Sequence, residues 1–290
     1  MAPQIVLVTG CSSGIGLAMV QRLARDPDHR FIIIATVIAM SEKNDLMAAV
    51  KDYIDKAVFI KEMDITKDGD ITTVVESVIN DHGRIDILLN IAGLSVIGIP
   101  ENISREQVDQ IFSVNVIGTI RLTQAVLPHM KEKQSGKIIT FSSVAGRIGF
   151  AYIELYCASK FAVEGFFESL AAGVCAFNIR VCLMKPGPVK TGLWDFTVRQ
   201  YTSHSNDDTI HAIDRRQLQN KVPRVRVEPV FEIDDVVDRV MTNCINADEP
   251  ALRLLIADSP ADTNLAQTAS DLTGEAGLQE FGLKELSEIE

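Results

Sequence analysis

Apolar residues in this chain fall into two patterns that alternate along its length. Short runs are apolar at consecutive positions: Ile5 to Val8, Phe31 to Thr36, Ala57 to Ile60, Ile85 to Asn90, Lys137 to Phe141, Ile179 to Met184 and Leu252 to Ala257. Runs of this length and density predict strands buried on both faces of a parallel sheet. Between them apolar residues recur every third or fourth position, at Leu17 to Arg25, Ile71 to Asn80, Arg105 to Met130, Tyr156 to Ala176 and Phe231 to Ala247. That spacing predicts amphipathic helices. Strand and helix alternate from end to end, so the fold class is α/β, a single doubly wound parallel sheet with helices on both faces. Residues 1–258 are read as one domain, with no repeat or linker to divide it. Residues 192–228 are polar and irregular, and follow a turn with two prolines and a glycine. A long stretch of this kind in a compact domain predicts a substrate lid. Residues 259–290 read as an acidic tail with weak amphipathicity.

Composition narrows the classes. A chain of 290 residues that is 47% hydrophobic can bury a sizeable core. A net charge of -11 argues against nucleic acid or an anionic membrane surface as a main partner. The five cysteines (Cys11, Cys157, Cys175, Cys182 and Cys244) are scattered without metal-ligand spacing. They read as reduced thiols in a cytoplasmic protein with no metal site. No apolar run reaches the ~20 residues that span a bilayer. The first residues lack the charged and apolar regions of a signal peptide.

Candidate chemistry collects at strand ends, where ligands bind in open α/β sheets. The first strand runs into Thr9-Gly10-Cys11-Ser12-Ser13-Gly14-Ile15-Gly16 and then a helix. Gly10 permits the turn, Gly14 and Gly16 permit close approach, and the helix N-terminus offers N–H groups to a phosphate. This is a dinucleotide site, and the sheet is Rossmann-like. Ser12, Ser13 and Ile15 complete the loop. After the third strand, Asp64 and Ile65 are placed at the cofactor. Asp64 either accepts from an adenine amino group or caps the next helix. Asn90, Ala92 and Gly93 end the fourth strand with a backbone wall. Asn115, mid-helix among apolar neighbours, needs buried partners. Pro186, Gly187, Val189 and Thr191 follow the sixth strand. Ser143 closes the fifth strand and precedes the helix of Tyr156 and Lys160, which are one turn apart on one face. A nearby ammonium favours the phenolate and lowers the tyrosine pKa. The Ser143 hydroxyl reaches the same pocket.

Assembled in this order, the motifs resemble the short-chain dehydrogenase/reductase family over about residues 4–257. They are Thr9-Gly10-x-x-x-Gly14-x-Gly16, Asn90-x-Ala92-Gly93, Asn115, Ser143, Tyr156-x-x-x-Lys160 and Pro186-Gly187-x-x-x-Thr191. The loop Gly10 to Leu17 and the run Tyr156 to Gly165 look like the branch that holds 17β-hydroxysteroid dehydrogenase type 1 and the photoreceptor-type retinol dehydrogenases. The resemblance implies hydride transfer between a nicotinamide cofactor and the carbonyl or alcohol of a hydrophobic substrate, steroid-like, retinoid-like or another ketone. It implies Tyr156 as acid/base and Ser143 as carbonyl binder. It implies Lys160 holding the nicotinamide ribose and Asn115 anchoring a proton-relay water. It also implies a homodimer through the helices of Asn115 and Tyr156.

Two positions depart from the family pattern. Ile91 stands where the family has a second asparagine, and Ile38 where the branch has a basic residue for the 2′-phosphate of NADP(H). The second strand thus ends in Val37-Ile38-Ala39, which suits neither that phosphate nor, lacking an acid, the ribose hydroxyl of NAD(H). The resemblance tips the choice slightly towards NADP(H). Two other readings of the scaffold are a non-catalytic dinucleotide-binding regulator and a dehydratase or epimerase.

Overall fold

The computed structural model describes residues 2–227 and 231–256. Its centre is a seven-stranded sheet in which every neighbouring pair is parallel, in the order β3-β2-β1-β4-β5-β6-β7. The strands are β1 Gln4–Val8, β2 Phe31–Val37, β3 Val58–Glu62, β4 Ile87–Asn90, β5 Gly136–Phe141, β6 Ile179–Pro186 and β7 Arg253–Ile256. The order reverses beside β1, between β1 and β4, which opens the crevice that such sheets use for ligands. The expected doubly wound fold is therefore present.

Alternate residues of each strand feed opposite faces. Val6 and Val8 join α1 (Gly14–Ala24) and α9 (Ile233–Val240) in one core layer, through Met19, Val20, Leu23, Val236 and Val240. Ile5 and Leu7 join α3 (Asp68–His82), α5 (Thr119–Lys133) and α6 (Glu154–Val174) in the other, around Val78, Leu122, Val126 and Phe167. Each fully buried apolar side chain contributes about 1.5–3 kcal/mol, so these layers dominate the stability. A short helix α2 (Asn44–Ala49) follows β2 and covers the first layer with Leu46.

The helix expected over Arg105 to Met130 is continuous but not uniform. It comprises α4 (Arg105–Phe112), a π turn (Ser113–Gly118) and α5. Ser104 and Gln107 form a capping box at its start. By length and composition it is the one helix among the described residues apolar enough to cross a membrane. Here it lies against the sheet, with Ile111, Leu122, Val126 and Met130 buried.

The segment expected to be irregular is largely helical. It forms α7 (Gly192–Ser205), capped by the Thr191 side chain, and α8 (Ala212–Val227). Its apolar residues pack not on the sheet but on the loops above it. Tyr201, Ile210 and Leu218 meet Ile97, Ile99 and Tyr152 in a separate small cluster. The tail expected at 259–290 lies outside the described residues.

Candidate active site

The loop from Gly10 to Gly16 is shaped by what side chains would strike. Gly10 has φ +70°, and a Cβ there would lie 2.9 Å from the Ala92 Cα. At Gly16 a Cβ would lie 2.1 Å from the Gly10 carbonyl oxygen. The turn therefore requires glycine at both, and it brings β1 and β4 ends together. Thr9 ties them, its hydroxyl accepting from the N–H groups of Ile91 (3.0 Å) and Ala92 (3.1 Å). Ser13 precedes α1, yet its side chain makes no capping bond and the first turn carries no acid. Donors at that helix start suit an anion. Gly14 has φ +54°, and its Cβ would face the Thr191 methyl at 3.4 Å, so the segment after β6 closes over the loop. Val189 is held there by a bridge to Phe231, and Pro186 ends β6. Gly187 lies under the Phe231 ring, which a Cβ would approach to 3.2 Å.

Asp64 does not cap α3, whose N-cap position is Lys67 and carries no side-chain cap; it braces the turn before that helix. Its Oδ1 accepts from the Thr66 N–H (3.0 Å) and hydroxyl (2.7 Å), and its Oδ2 lies 3.4 Å from the Lys67 Nζ. Ile65 is buried against Gly118 of the π turn, where a Cβ would meet the Ile65 carbonyl at 2.6 Å. Asn90 is buried, and its amide donates to Thr123 (3.2 Å) and Thr140 (3.1 Å). It locks β4 to β5 and α5. At the end of β2, Val37 is 1% exposed while Ile38 is 54% exposed. Glu62, the register partner of Val37, accepts from the Met40 N–H at 2.8 Å. An acid thus stands near this strand end after all, supplied by the neighbouring strand where no reading of β2 alone would find it.

The four candidate catalytic residues converge from three elements. Asn115 sits in the π turn, a distortion that often marks a functional site. Its Oδ1 accepts from the Leu94 N–H (2.7 Å), and its amide donates to the Leu94 carbonyl (2.9 Å) and the Ser159 hydroxyl (3.0 Å). Its buried amide is thus fully engaged in fastening α6 to the segment after β4. Gly93 faces this site, since a Cβ there would lie 3.4 Å from the Asn115 Oδ1 and 3.7 Å from the Lys160 Nζ. Ser143 follows β5, accepts from the Ala145 N–H (3.2 Å) and stands near enough to the Tyr156 phenol to lower its pKa.

Lys160 is 6% exposed, and its Nζ donates to the Phe141 carbonyl at 2.8 Å. That Nζ lies 5.6 Å from the Tyr156 ring centroid. The expected lowering of the Tyr156 pKa is overturned for this arrangement. Burial pushes the phenol up to about 12, against the Ser143 hydrogen bond, which lowers it. Burial pushes Lys160 down to about 8, against the Glu164 carboxylate. Both groups are thus displaced towards their neutral forms. A phenol kept protonated near Ser143 is poised to donate a proton to a carbonyl oxygen.

Helices α7 and α8 are tied to the loop that precedes α6. The Tyr152 hydroxyl bonds Gln217 and, at 3.4 Å, Asp214. Lys221 donates to the Ala151 carbonyl at 3.1 Å, and so does the Tyr201 hydroxyl at 3.3 Å. Tyr152 itself has φ +70°, a conformation a tyrosine rarely adopts. A cavity of about 120 Å³ opens between Ile97, Ile99 and Ile103 on one side and His204 and Ile210 on the other. None of the four candidate catalytic residues lines it. Among the described residues no group of acids, cysteines and histidines is placed to hold a metal.

Known proteins resemble this chain in sequence and fold. The short chain dehydrogenase family model matches residues 4–202. Retinol dehydrogenase 8 of Homo sapiens is 34% identical over 256 residues, 87% of this chain and 81% of that protein. The 17-beta-hydroxysteroid dehydrogenase type 1 of Homo sapiens is 32% identical over 255 residues, 87% of this chain and 77% of that protein. A short-chain dehydrogenase from Streptomyces avermitilis superposes with a TM-score of 0.78 at 25% identity, covering 96% of each chain. The uncapped helix start, the glycines a side chain would obstruct and the Ser143–Tyr156 pair fit a nicotinamide dinucleotide beside a carbonyl. The chain belongs to the short-chain dehydrogenase family and is a nicotinamide-dependent oxidoreductase.

Proposed function

We propose that this enzyme interconverts the ketone or aldehyde and the alcohol of a small hydrophobic molecule of steroid, retinoid or similar kind. The observation that carries the reading is the convergence of Ser143, a half-buried and protonated Tyr156, and a buried Lys160 on one site beside Asn115 and Gly93. In the reductive direction Ser143 and Tyr156 hold the substrate oxygen, and Tyr156 gives it the proton. In the oxidative direction Tyr156 takes that proton back. Lys160 orients the cofactor ribose, and Asn115 fixes the segment after β4 against α6. Gly10 to Gly16, Ala92 and Gly93, and Pro186 to Thr191 hold the cofactor, which when bound supplies or accepts the hydride. The apolar lid cluster and the named substrates of the relatives support a hydrophobic substrate.

The test is a panel of hydroxysteroids, retinol and long-chain keto lipids, followed by cofactor absorbance and product identification. Reversible, substrate-dependent absorbance change is expected. Cofactor binding with no turnover on any member would favour a regulator. Loss of water or inversion of a stereocentre without net redox change would favour a dehydratase or epimerase.

Cofactor choice is set at the exposed end of β2. Ile38 offers no charge to a 2′-phosphate, and Glu62 lies on the adjacent strand. Weak discrimination is therefore expected, with the two kcat/KM values within about two orders of magnitude, ~3 kcal/mol or less. Ile38→Arg should move the ratio towards NADP(H) by about 1–2 kcal/mol, through a charge-assisted bond. Steady-state kinetics with both cofactors would measure this, and an unchanged ratio would place the phosphate elsewhere. The site is Ile38 and not Val37, because an acid at buried Val37 would sit in the core.

The assembly we propose is a homodimer in the cytoplasm. Ile117 (55% exposed) and Phe161 (46% exposed) are large apolar residues left open on the helices of Asn115 and Tyr156. A second copy would cover them. Sedimentation equilibrium should give twice the 31.8 kDa chain mass, and a monomer would discard that assembly.

A further inference from the structure

Past Lys160 the same face of α6 carries two more ionisable residues at four-residue steps, Glu164 and Glu168. Glu164 is 4% exposed. Its Oε2 meets the Lys185 Nζ at 3.0 Å and the Arg253 Nε at 3.3 Å. Arg253 also pairs with Glu168. The Glu164 Oε1 is buried with no hydrogen-bond partner, and so is the Ser142 Oγ beside it. Gly146 makes the room: a Cβ there would lie 2.6 Å from the Ser142 Oγ, 3.0 Å from the Glu164 Cγ and 3.1 Å from the Lys160 carbonyl oxygen.

Stability alone is a poor reason for this cluster. A buried ion pair often does no better than apolar residues of the same volume, because desolvation offsets the attraction. What an apolar pair would not supply is a negative charge one turn from Lys160. Lys160 needs one, because its buried ammonium has a carbonyl as partner and no carboxylate in contact.

We propose that Glu164 is a positioning residue for the reaction: its carboxylate keeps Lys160 charged, while Lys185 and Arg253 hold that carboxylate in place. The proposal rests on the roles given above to Tyr156 and Lys160. The direction agrees with the electrostatics, since burial drives Lys160 down to about 8 and Glu164 acts against it. Around this pair stand Tyr156, Cys157 and Glu168 on α6, Arg147 after β5, Lys185 on β6 and Arg253 on β7. Burial presses Lys185 towards neutrality, Glu164 opposes it, and Arg253 and Arg147 add smaller pressure in the same direction as burial. From the helix opposite, Asn115 reaches Ser159 without a charge. Below its midpoint Lys160 is a cation. Removing the Glu164 charge lowers that midpoint, so the cation is lost at a lower pH.

The experiment follows the Lys160 side chain directly. The full chain, carrying carbon-13 at lysine Cε, is titrated by NMR, with the Lys160 signal identified by its loss in Lys160→Met. The parent is compared with Glu164→Gln, Lys185→Met and the double variant Glu164→Gln/Lys185→Met. The Lys160 midpoint should fall by about half to one unit in both variants that lack the carboxylate, as expected when a nearby opposite charge is removed. It should hold or rise in Lys185→Met, which keeps the carboxylate and removes a competing cation. The alkaline limb of carbonyl reduction should move down with the midpoint, while KM for the carbonyl substrate holds. If Glu164→Gln fails to fold because Lys185 loses its partner, the double variant carries the test. An unchanged Lys160 midpoint in a folded variant lacking the carboxylate would overturn the proposal. Absence of turnover in the parent, with the midpoint shift intact, would instead count against the reading of function.

Discussion

Tyr156→Phe should lower turnover by roughly 10²–10⁴-fold, the usual worth of a positioned acid or base, and leave cofactor affinity nearly unchanged. The substitution removes one hydroxyl and keeps the ring. That hydroxyl lies near Ser143, whose own side chain stays fixed by the Ala145 N–H. The pocket should therefore keep its shape while losing its proton donor. A matched pair of measurements, turnover and cofactor affinity on parent and variant, separates chemistry from binding. More than half the activity retained would remove Tyr156 from the mechanism.

Lys160→Met should act on both quantities at once. It keeps most of the side-chain volume and deletes a charge that donates inside a nearly closed site. A charge-assisted hydrogen bond is worth about 1.5–3 kcal/mol, so cofactor affinity should fall roughly 10- to 100-fold. The pH profile gives an independent sign. With Lys160 at about 8 and Tyr156 at about 12, carbonyl reduction needs the cation below about 8 and finds tyrosine protonated throughout that range. The parent's alkaline limb should lie near the lysine value. In the variant that limb should move up towards the tyrosine, since no lysine remains to titrate. Calorimetric cofactor binding and a pH–rate series would check the two halves, and a variant unchanged in both would make Lys160 a structural residue.

The strands and the site they carry were legible because both rest on local rules. Parallel strands buried on two faces announce themselves as unbroken apolar runs, and Val6, Ile33, Leu88 and Ile138 all proved fully buried or nearly so. The glycines were legible because each is required by a turn or a contact that admits no side chain, as Gly10 and Gly16 are. The helical state of residues 192–227 was not legible. Helices α7 and α8 bury Tyr201, Ile210 and Leu218 against loops and not against the sheet, so the sheet-facing stripe sought in the sequence is weak there. The Tyr156 pKa was not legible either. A nearby ammonium was expected to favour the phenolate, whereas burial of the phenol decides the outcome. Glu62 and Glu164 escaped notice because their partners lie on other elements, at Met40 and at Lys185 and Arg253.

The π turn from Ser113 to Gly118 sets a limit on how this gene can change in length. A π turn holds one residue more than an α-helix needs to cover the same height. Losing one residue there would let the ladder close as a plain α-helix, with no break in hydrogen bonding. The two halves would then keep their orientation, with Ile111 on one side and Leu122, Val126 and Met130 on the other still buried. What the deletion removes is the widened turn that carries Asn115 to Leu94 and Ser159. A lost residue in the regular turns of α4 or α5 would instead rotate the rest of the helix by about 100°. A single-codon deletion in the π turn would thus spare the fold and undo the site, whereas one on either side of it would disturb the fold itself.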